Sequence, residues 1–222
     1  MSKKLVIFGL GEQAEVAYSL FTHDSEFEVI GFTADKAYID KGSLYDLPVV
    51  AFENIEKHFS PNEYDCFVAI GYSKLNSARS EAVSRVKAKG YNLPSYVSSK
   101  AVLSADFNCG INCLILELNN IQPFVKVGDN VTLWSGNHLG HHSIIEDDCF
   151  ITSHVVISGG VTVGSGSFVG VNATFRDHIN IGKQCVVGAG AYVNNDLPDF
   201  SVILPAKSKV IKQTSLEIMD AL

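Results

Sequence analysis

Every sixth residue from Val127 to Val193 is apolar: Val127, Leu133, Leu139, Ile145, Ile151, Ile157, Val163, Val169, Phe175, Ile181, Val187 and Val193. No insertion resets the frame, and only 46% of the chain is hydrophobic, so twelve matches are not chance alternation. Six of these residues are followed directly by glycine, at Gly128, Gly140, Gly164, Gly170, Gly182 and Gly188. The fifth place of each hexad is mostly small or β-branched, as at Val131, Ser143, Cys149, Val155, Val161, Ser167, Ala173 and Ala191. The frame runs back more weakly through Ile121, Ile115, Cys109, Leu103 and Val97. A period of six matches neither the 3.6-residue helical repeat nor the simple two-residue alternation of a strand. It matches a parallel β-helix, in which each hexad is one short strand plus a corner and stacked coils bury a continuous core. Positions one and five then point inward. The glycine at position two is expected to relieve the backbone where the chain turns.

The amino-terminal third has a different pattern. Residues 4–9 (KLVIFG), 28–33 (EVIGFT) and 65–71 (DCFVAIG) read as strands, and 12–21 and 76–89 as helices, the second ending at Gly90. Strands alternating with helices imply a small parallel sheet of Rossmann type. Such sheets bind ligands at the carboxyl ends of their strands. Gly9-Leu10-Gly11 would let backbone amides approach a phosphate at a helix amino terminus. The third glycine of a dinucleotide fingerprint is absent, so a ligand-free tight turn is the competing reading. Asp35, after the second strand, is placed either to bond a ribose or base edge or to be a surface acid.

Composition narrows the class. A net charge of −7 argues against a nucleic-acid partner. No apolar run reaches the roughly 18 residues that span a membrane, and the opening MSKKLVIFGLGEQ reads as a first strand rather than a signal peptide. Cys66, Cys109, Cys113, Cys149 and Cys185 are odd in number and form no CxxC pair, which favours free thiols in a reducing cytoplasm.

The repeat resembles the hexapeptide-repeat acyltransferases. That resemblance implies a left-handed, three-sided helix of eighteen residues per coil and a homotrimer with active sites between subunits. With the α/β unit in front, nearly the whole chain resembles the bacillosamine- and perosamine-type N-acetyltransferases and the NeuD-like sialic-acid O-acetyltransferases. Residues 1–96 then form a Rossmann-like nucleotide-sugar-binding domain. Residues 97–222 form a left-handed β-helix acyltransferase domain with a carboxyl-terminal tail. The resemblance places the nucleotide sugar at Gly9, Leu10, Gly11, Glu12, Ala34, Asp35 and Gly71. In the segment AIGYSKLNSARSE, Asn76 or Arg79 is in range of the substrate, although a solvated helix face is the preferred reading for Arg79. The acyl donor, acetyl-CoA, is implied at Phe150, Val171, Ala189 and Lys207. Lys207 lies in a closing segment where Pro198, Pro205 and Ala206 match the family and Ile203 replaces its glycine.

Acyl transfer from a thioester needs a base that takes the proton of the attacking group, a role suited to histidine near neutral pH. Residues 136–143 read GNHLGHHS, which brings His138, His141 and His142 onto neighbouring hexads, with His154 and His178 beyond them. All five occupy positions three, four or six, outside the core. The resemblance puts the catalytic histidine at His141, with His138 second. The family has an acid directly after it, where this chain has His142, and Glu146 and Asp147 are the candidate substitutes. One base can serve an amine or a hydroxyl, so N-acylation of a nucleotide-linked amino sugar leads and O-acetylation of a sialic-acid-like sugar is the alternative.

A zinc hydratase of γ-carbonic-anhydrase type is a weaker competitor. His142 and His178 lie two coils apart, so at about 4.8 Å per stacked strand they are too distant for zinc–nitrogen bonds of about 2.1 Å within one chain. No metal site is expected. A β-helix scaffold without catalysis is a third class, and it predicts that His141→Ala changes nothing. A carboxyl-terminal amphipathic helix is expected within the last ten residues.

Overall fold

The computed structural model describes residues 3–210 and 212–218. Residues 96–203 form a β-helix of two-residue strands arranged in three parallel sheets. The seven-stranded sheet runs from Tyr96–Val97 to Val202–Ile203, and the six-stranded sheet from Val102–Leu103 to Tyr192–Val193. The four-stranded sheet runs from Lys126–Val127 to Asn180–Ile181. Register is strict. Thr132 pairs with Phe150 and Phe168 with Val186, which is eighteen residues, or three hexads, per coil. All twelve position-one residues are buried, and so are the position-five residues Val131, Cys149, Val155, Val161, Ala173 and Ala191. Ser143 and Ser167 satisfy their hydroxyls at position five between coils, donating to the Ser158 and Gly182 carbonyls and accepting from the Val161 and Cys185 amides.

The corners revise the role expected for glycine. None of the six position-two glycines has a positive φ. The left-handed residue is at position four, occupied from Asn130 to Gly190 by Asn130, Gly136, His142, Asp148, His154, Gly160, Gly166, Asn172, His178, Gln184 and Gly190. Glycine has no Cβ penalty there, and Asn, Asp and His are the side chains most often found there. Where position two is glycine, the next coil is close: a Cβ on Gly164 would lie 2.6 Å from Gly182 C and Lys183 N, and one on Gly140 2.5 Å from Gly159 N. The same rule accounts for two histidines. His154 and His178 are left-handed corner residues whose rings cover Gly136 and Gly160 of the preceding coil.

The amino-terminal unit is a five-stranded sheet, with β1 (Lys3–Phe8), β2 (Phe27–Ala34), β3 (Ser43–Leu44), β4 (Leu47–Ala51) and β5 (Asp65–Val68) in the order β3-β4-β2-β1-β5. Helix α1 (Glu12–His23) follows β1, and α2 (Ser77–Ala88) follows β5. The sheet is mixed, not purely parallel. β3 and β4 form an antiparallel hairpin across Tyr45 and Asp46, both at positive φ, and β4 joins the parallel set beside β2.

The unit packs on the outward face of the seven-stranded sheet. Tyr96, Leu114, Leu116 and Trp134 share an apolar cluster with Leu5, Ile7, Ala14, Phe21 and Phe67. Two polar joints flank it. Asp24, at the end of α1, accepts from Tyr96 Oη (2.7 Å), Ser98 Oγ (3.2 Å) and Ser99 N (3.0 Å). The second joint is Arg79, and the solvated helix face expected for it is wrong: it is 2% exposed. Its guanidinium donates to the carbonyls of Gly71, Asn130, Asp148 and Cys149 and to the side-chain oxygens of Asn76 and Asn130. Asn76 also turns into this joint, donating to the Gly166 and Ser167 carbonyls. Residues 198–210 are largely exposed, and one helical turn, α3 (Ser215–Ile218), is exposed over residues 215–217. Gln213 and Thr214 of the stretch expected to be helical are not helical, and residues 219–222 lie outside the described residues.

Candidate functional site

Two adjoining clefts open at the carboxyl ends of β1, β2 and β5. One, of about 740 Å³, runs between the turn after β1 and the β-helix, lined by Gly9, Leu10, Gly11, Glu12 and Gly71 on one side and Trp134, Phe150 and Val171 on the other. Tyr72 meets Phe150 edge-on at 5.2 Å in its wall. The second, of about 950 Å³, shares Gly9, Leu10 and Gly11 and extends past Ala34, Asp35, Tyr38 and Lys41 towards Lys74 and Arg85.

Close packing shapes the turn. Gly9 has φ +137, and a Cβ there would fall 2.6 Å from the Ala69 carbonyl oxygen, so the turn after β1 lies against the backbone after β5 at a point that only glycine can occupy. Gly11 caps α1 without a side-chain hydrogen bond, and a Cβ on it would meet nothing within 4 Å. The Ala14 and Glu15 amides both bond the Gly11 carbonyl, which leaves the Glu12 and Gln13 amides at the start of α1 to suit an anionic group in the cleft. Asp35 takes the Arg85 guanidinium with both carboxylate oxygens, Oδ2 at 2.9 Å from Nη1. That bonding holds its carboxyl below the usual range despite partial burial. Asp35 therefore enters the cleft as half of an ion pair, and Arg85 is a lining residue that the sequence reading missed.

All seven residues expected to hold the nucleotide sugar line one or both clefts, as do Phe150 and Val171 from the acyl-donor set. Ala189 and Lys207 line neither. Ala189 is exposed with its amide against Gly170, and Lys207 is exposed in the carboxyl-terminal segment.

The histidines lie elsewhere. His138 stands on the six-stranded sheet between Asn120 and Val156. His141 and His142 occupy the next corner, exposed, with their Nδ1 atoms 3.1 Å apart. No histidine is among the residues lining either cleft. The expected acidic substitutes are engaged in their own corner: Glu146 Oε2 accepts from Ser165 N at 3.0 Å, and Asp147 Oδ1 from Asp129 N at 2.7 Å. Among the described residues no group of three His, Cys, Asp or Glu side chains is placed to hold a metal ion, and no helix is long and apolar enough to cross a membrane. All five cysteines are free thiols, and burial pushes the Cys149 thiol up to about 12, too high for a nucleophile at neutral pH.

Residues 4–86 match the family model for the PglD N-terminal domain, and residues 124–159 the bacterial transferase hexapeptide (six repeats) model. Among solved structures, the chain is similar to PerB from Caulobacter crescentus in complex with CoA and GDP-perosamine, at 25% identity and a TM-score of 0.79, covering 95% of this chain and 99% of that one. It is also similar to the acetyltransferase domain of PglB from Neisseria gonorrhoeae FA1090, at 24% identity and a TM-score of 0.81, covering 90% and 95%. The same PglB domain in complex with acetyl coenzyme A matches at 22% identity and a TM-score of 0.78, covering 93% and 99%. No curated protein matches the chain.

Proposed function

We propose that this chain, in which residues 4–86 match the PglD N-terminal domain model and residues 124–159 the bacterial transferase hexapeptide model, is an acyl-CoA-dependent N-acyltransferase acting on a nucleotide-linked amino sugar, with acetyl as the group transferred. The observation that carries this reading is the cleft in which Gly9, Leu10, Gly11 and Gly71 face Phe150 and Val171. One wall offers backbone amides to a diphosphate. The other offers aromatic and aliphatic surface to a pantetheine arm or a sugar ring. Relatives solved with CoA, acetyl coenzyme A and GDP-perosamine point the same way. Residues 1–96 would present the nucleotide sugar and residues 97–222 the acyl donor, with Ala189 and Lys207 further along the donor's path.

In the proposed reaction the sugar amine attacks the thioester carbon. A C–N bond forms, His141 takes the amine proton at Nε2, and collapse of the tetrahedral intermediate breaks the C–S bond. The proton then passes to the departing thiolate. His141 lies away from the clefts of its own chain, so base and cleft would meet between copies, which supports an assembly with shared sites. The six-stranded sheet leaves Val102, Val156 and Tyr192 exposed on a ladder shared with Asn120, His138 and Thr174, a mixed face for it. His138, on the same face, is the second candidate base.

The test is thiol release from acetyl-CoA against UDP-, dTDP- and GDP-linked 3- and 4-amino sugars, with sialic acid included. One amino sugar should turn over, and His141→Ala should lower kcat by about 10²- to 10⁴-fold, the usual contribution of a general base. Turnover of sialic acid alone would replace this reading with O-acetylation, and turnover of nothing would overturn acyl transfer.

A further inference from the structure

The contact between His141 and His142 is specific. Their Nδ1 atoms are 3.1 Å apart, with the rings nearly perpendicular at 86°. Two facing imidazole nitrogens hold such a contact only when one carries the proton and the other a lone pair. Both rings are held. His141 lies over Gly159, where a Cβ would fall 2.7 Å from Cε1 and 2.9 Å from Nε2, and its amide donates to Gln122 Oε1 at 2.9 Å. His142 is a left-handed corner residue at φ +62, and its ring packs on Phe124 with centroids 4.6 Å apart. Gln122, Pro123 and Phe124 lie on the coil before the pair, and Gly159 and Gly160 on the coil after it. The same corner carries His178, over Gly160, and Asp177, whose Oδ2 lies 4.0 Å from His178 Nε2, while Glu146 and Asp147 on the next corner of the chain accept from the Ser165 and Asp129 amides.

We infer that His142 is a positioning residue: its Nδ1 accepts the Nδ1–H of His141 and so keeps the His141 Nε2 lone pair free for the proton of the acceptor group. The effect on rate rests on the acyl-transfer reading, whereas the ring contact stands without it. The steps balance. The substrate N–H proton goes to His141 Nε2, the Nδ1–H stays on His141 in its bond to His142 Nδ1, and the Nε2 proton then passes to the departing thiolate, which returns both rings to their starting tautomers. A second imidazole thereby performs the orienting task usually given to a carboxylate, without adding a fixed charge to the corner.

Two substitutions isolate the acceptor, because glycine and aspartate both tolerate a positive φ. His142→Gly removes the acceptor and should lower kcat by about 10- to 10²-fold, a fraction of what a general base supplies, with KM and Tm unchanged. His142→Asp restores an acceptor, should recover kcat to within a few-fold, and should move the acidic limb of the kcat profile to higher pH, since a carboxylate favours the imidazolium. The ring ¹⁵N shifts of His141 are the readout independent of turnover. Protonation should be at Nδ1 in the wild type and should move to Nε2 in His142→Gly. Nε2 protonation in the wild type, or a wild-type kcat in His142→Gly, would overturn the inference. If no sugar turns over at all, the acyl-transfer reading falls and the nitrogen shifts alone decide the pair.

Discussion

The β-helix and the amino-terminal unit meet one requirement, a buried core, by opposite routes. In the β-helix a residue's environment follows from its place in the hexad: Val163, Val169 and Val187 are interchangeable in burial and pairing, and each corner repeats one backbone conformation. In the amino-terminal unit no position repeats. Gly9, Asp35 and Arg79 each occur once, and each is set by a contact with a segment distant in sequence. Stacked coils therefore stand on many equal contacts, whereas the cleft stands on a few unequal ones. Substitutions should reveal that difference.

The largest expected effect on stability is at the joint between the two regions. Arg79→Met leaves four carbonyls and two side-chain oxygens without their donor. At about 1–3 kcal/mol for each buried group left unsatisfied, partly relieved by water, a loss of roughly 3 kcal/mol or more is expected. Calorimetry should show the single transition lowered or split, with the Gly71 side of the cleft loosened. An unchanged Tm would mean that the joint is held by its apolar cluster alone.

Next come the two kinds of glycine. Gly164→Ala drives a Cβ against the backbone of the next coil at 2.6 Å, and overpacking of this kind costs about 1–3 kcal/mol. Gly11→Ala meets nothing and should move Tm by less than about 0.5 kcal/mol equivalent, the range for surface substitutions, while weakening nucleotide-sugar binding in titration calorimetry. Equal destabilisation by both would erase the distinction drawn between repeat and cleft.

A smaller effect tests the corner rule. His154 sits at φ +58, so His154→Asn should be nearly neutral and His154→Val should cost about 1–2 kcal/mol by chemical denaturation, because a β-branched residue resists the left-handed region. The smallest is acid-linked. Hydrogen bonds from Ser99 and Tyr96 hold the Asp24 carboxyl at about 2, below its usual 3.8. A depressed acid stabilises the folded state above its unfolded value, and that contribution is lost as pH falls from about 4 towards 2. Asp24→Asn should therefore be less stable than wild type at pH 7, with the gap closing by pH 2.

Legibility follows the same division. The hexad was readable because one side-chain class recurs at fixed spacing, and β1, β2, β5 and both long helices were readable from apolar runs bounded by glycine. The β3–β4 hairpin was not, because β3 is two residues long, β4 carries Pro48, and their turn uses Tyr45 and Asp46 rather than glycine. From Asn130 onward position four did carry a signal, its restriction to Asn, Asp, His, Gln and Gly, which also explains why histidine is so frequent in this part of the chain, whereas the earlier coils place Leu118 and Phe124 there. Arg79 gave none, since a buried arginine satisfied by carbonyls looks in sequence like any polar residue on a helix.

By itself, the sequence determined which side chains face into the β-helix, where its strands fall, and that a glycine turn ends the first strand, because local periodicity and backbone sterics decide these. Only the tertiary structure decided what happens on the outward faces. Thr132 and Phe150 hold the same hexad position as Ile144 and Val156, yet the first two are buried and the last two exposed, because the amino-terminal unit covers one sheet of three. The same docking turns Arg79 inward, closes a cleft between Gly9 and Phe150, and leaves His141 and His142 on an open corner. Contacts between surfaces far apart in the chain make those choices, and no short-range pattern records them.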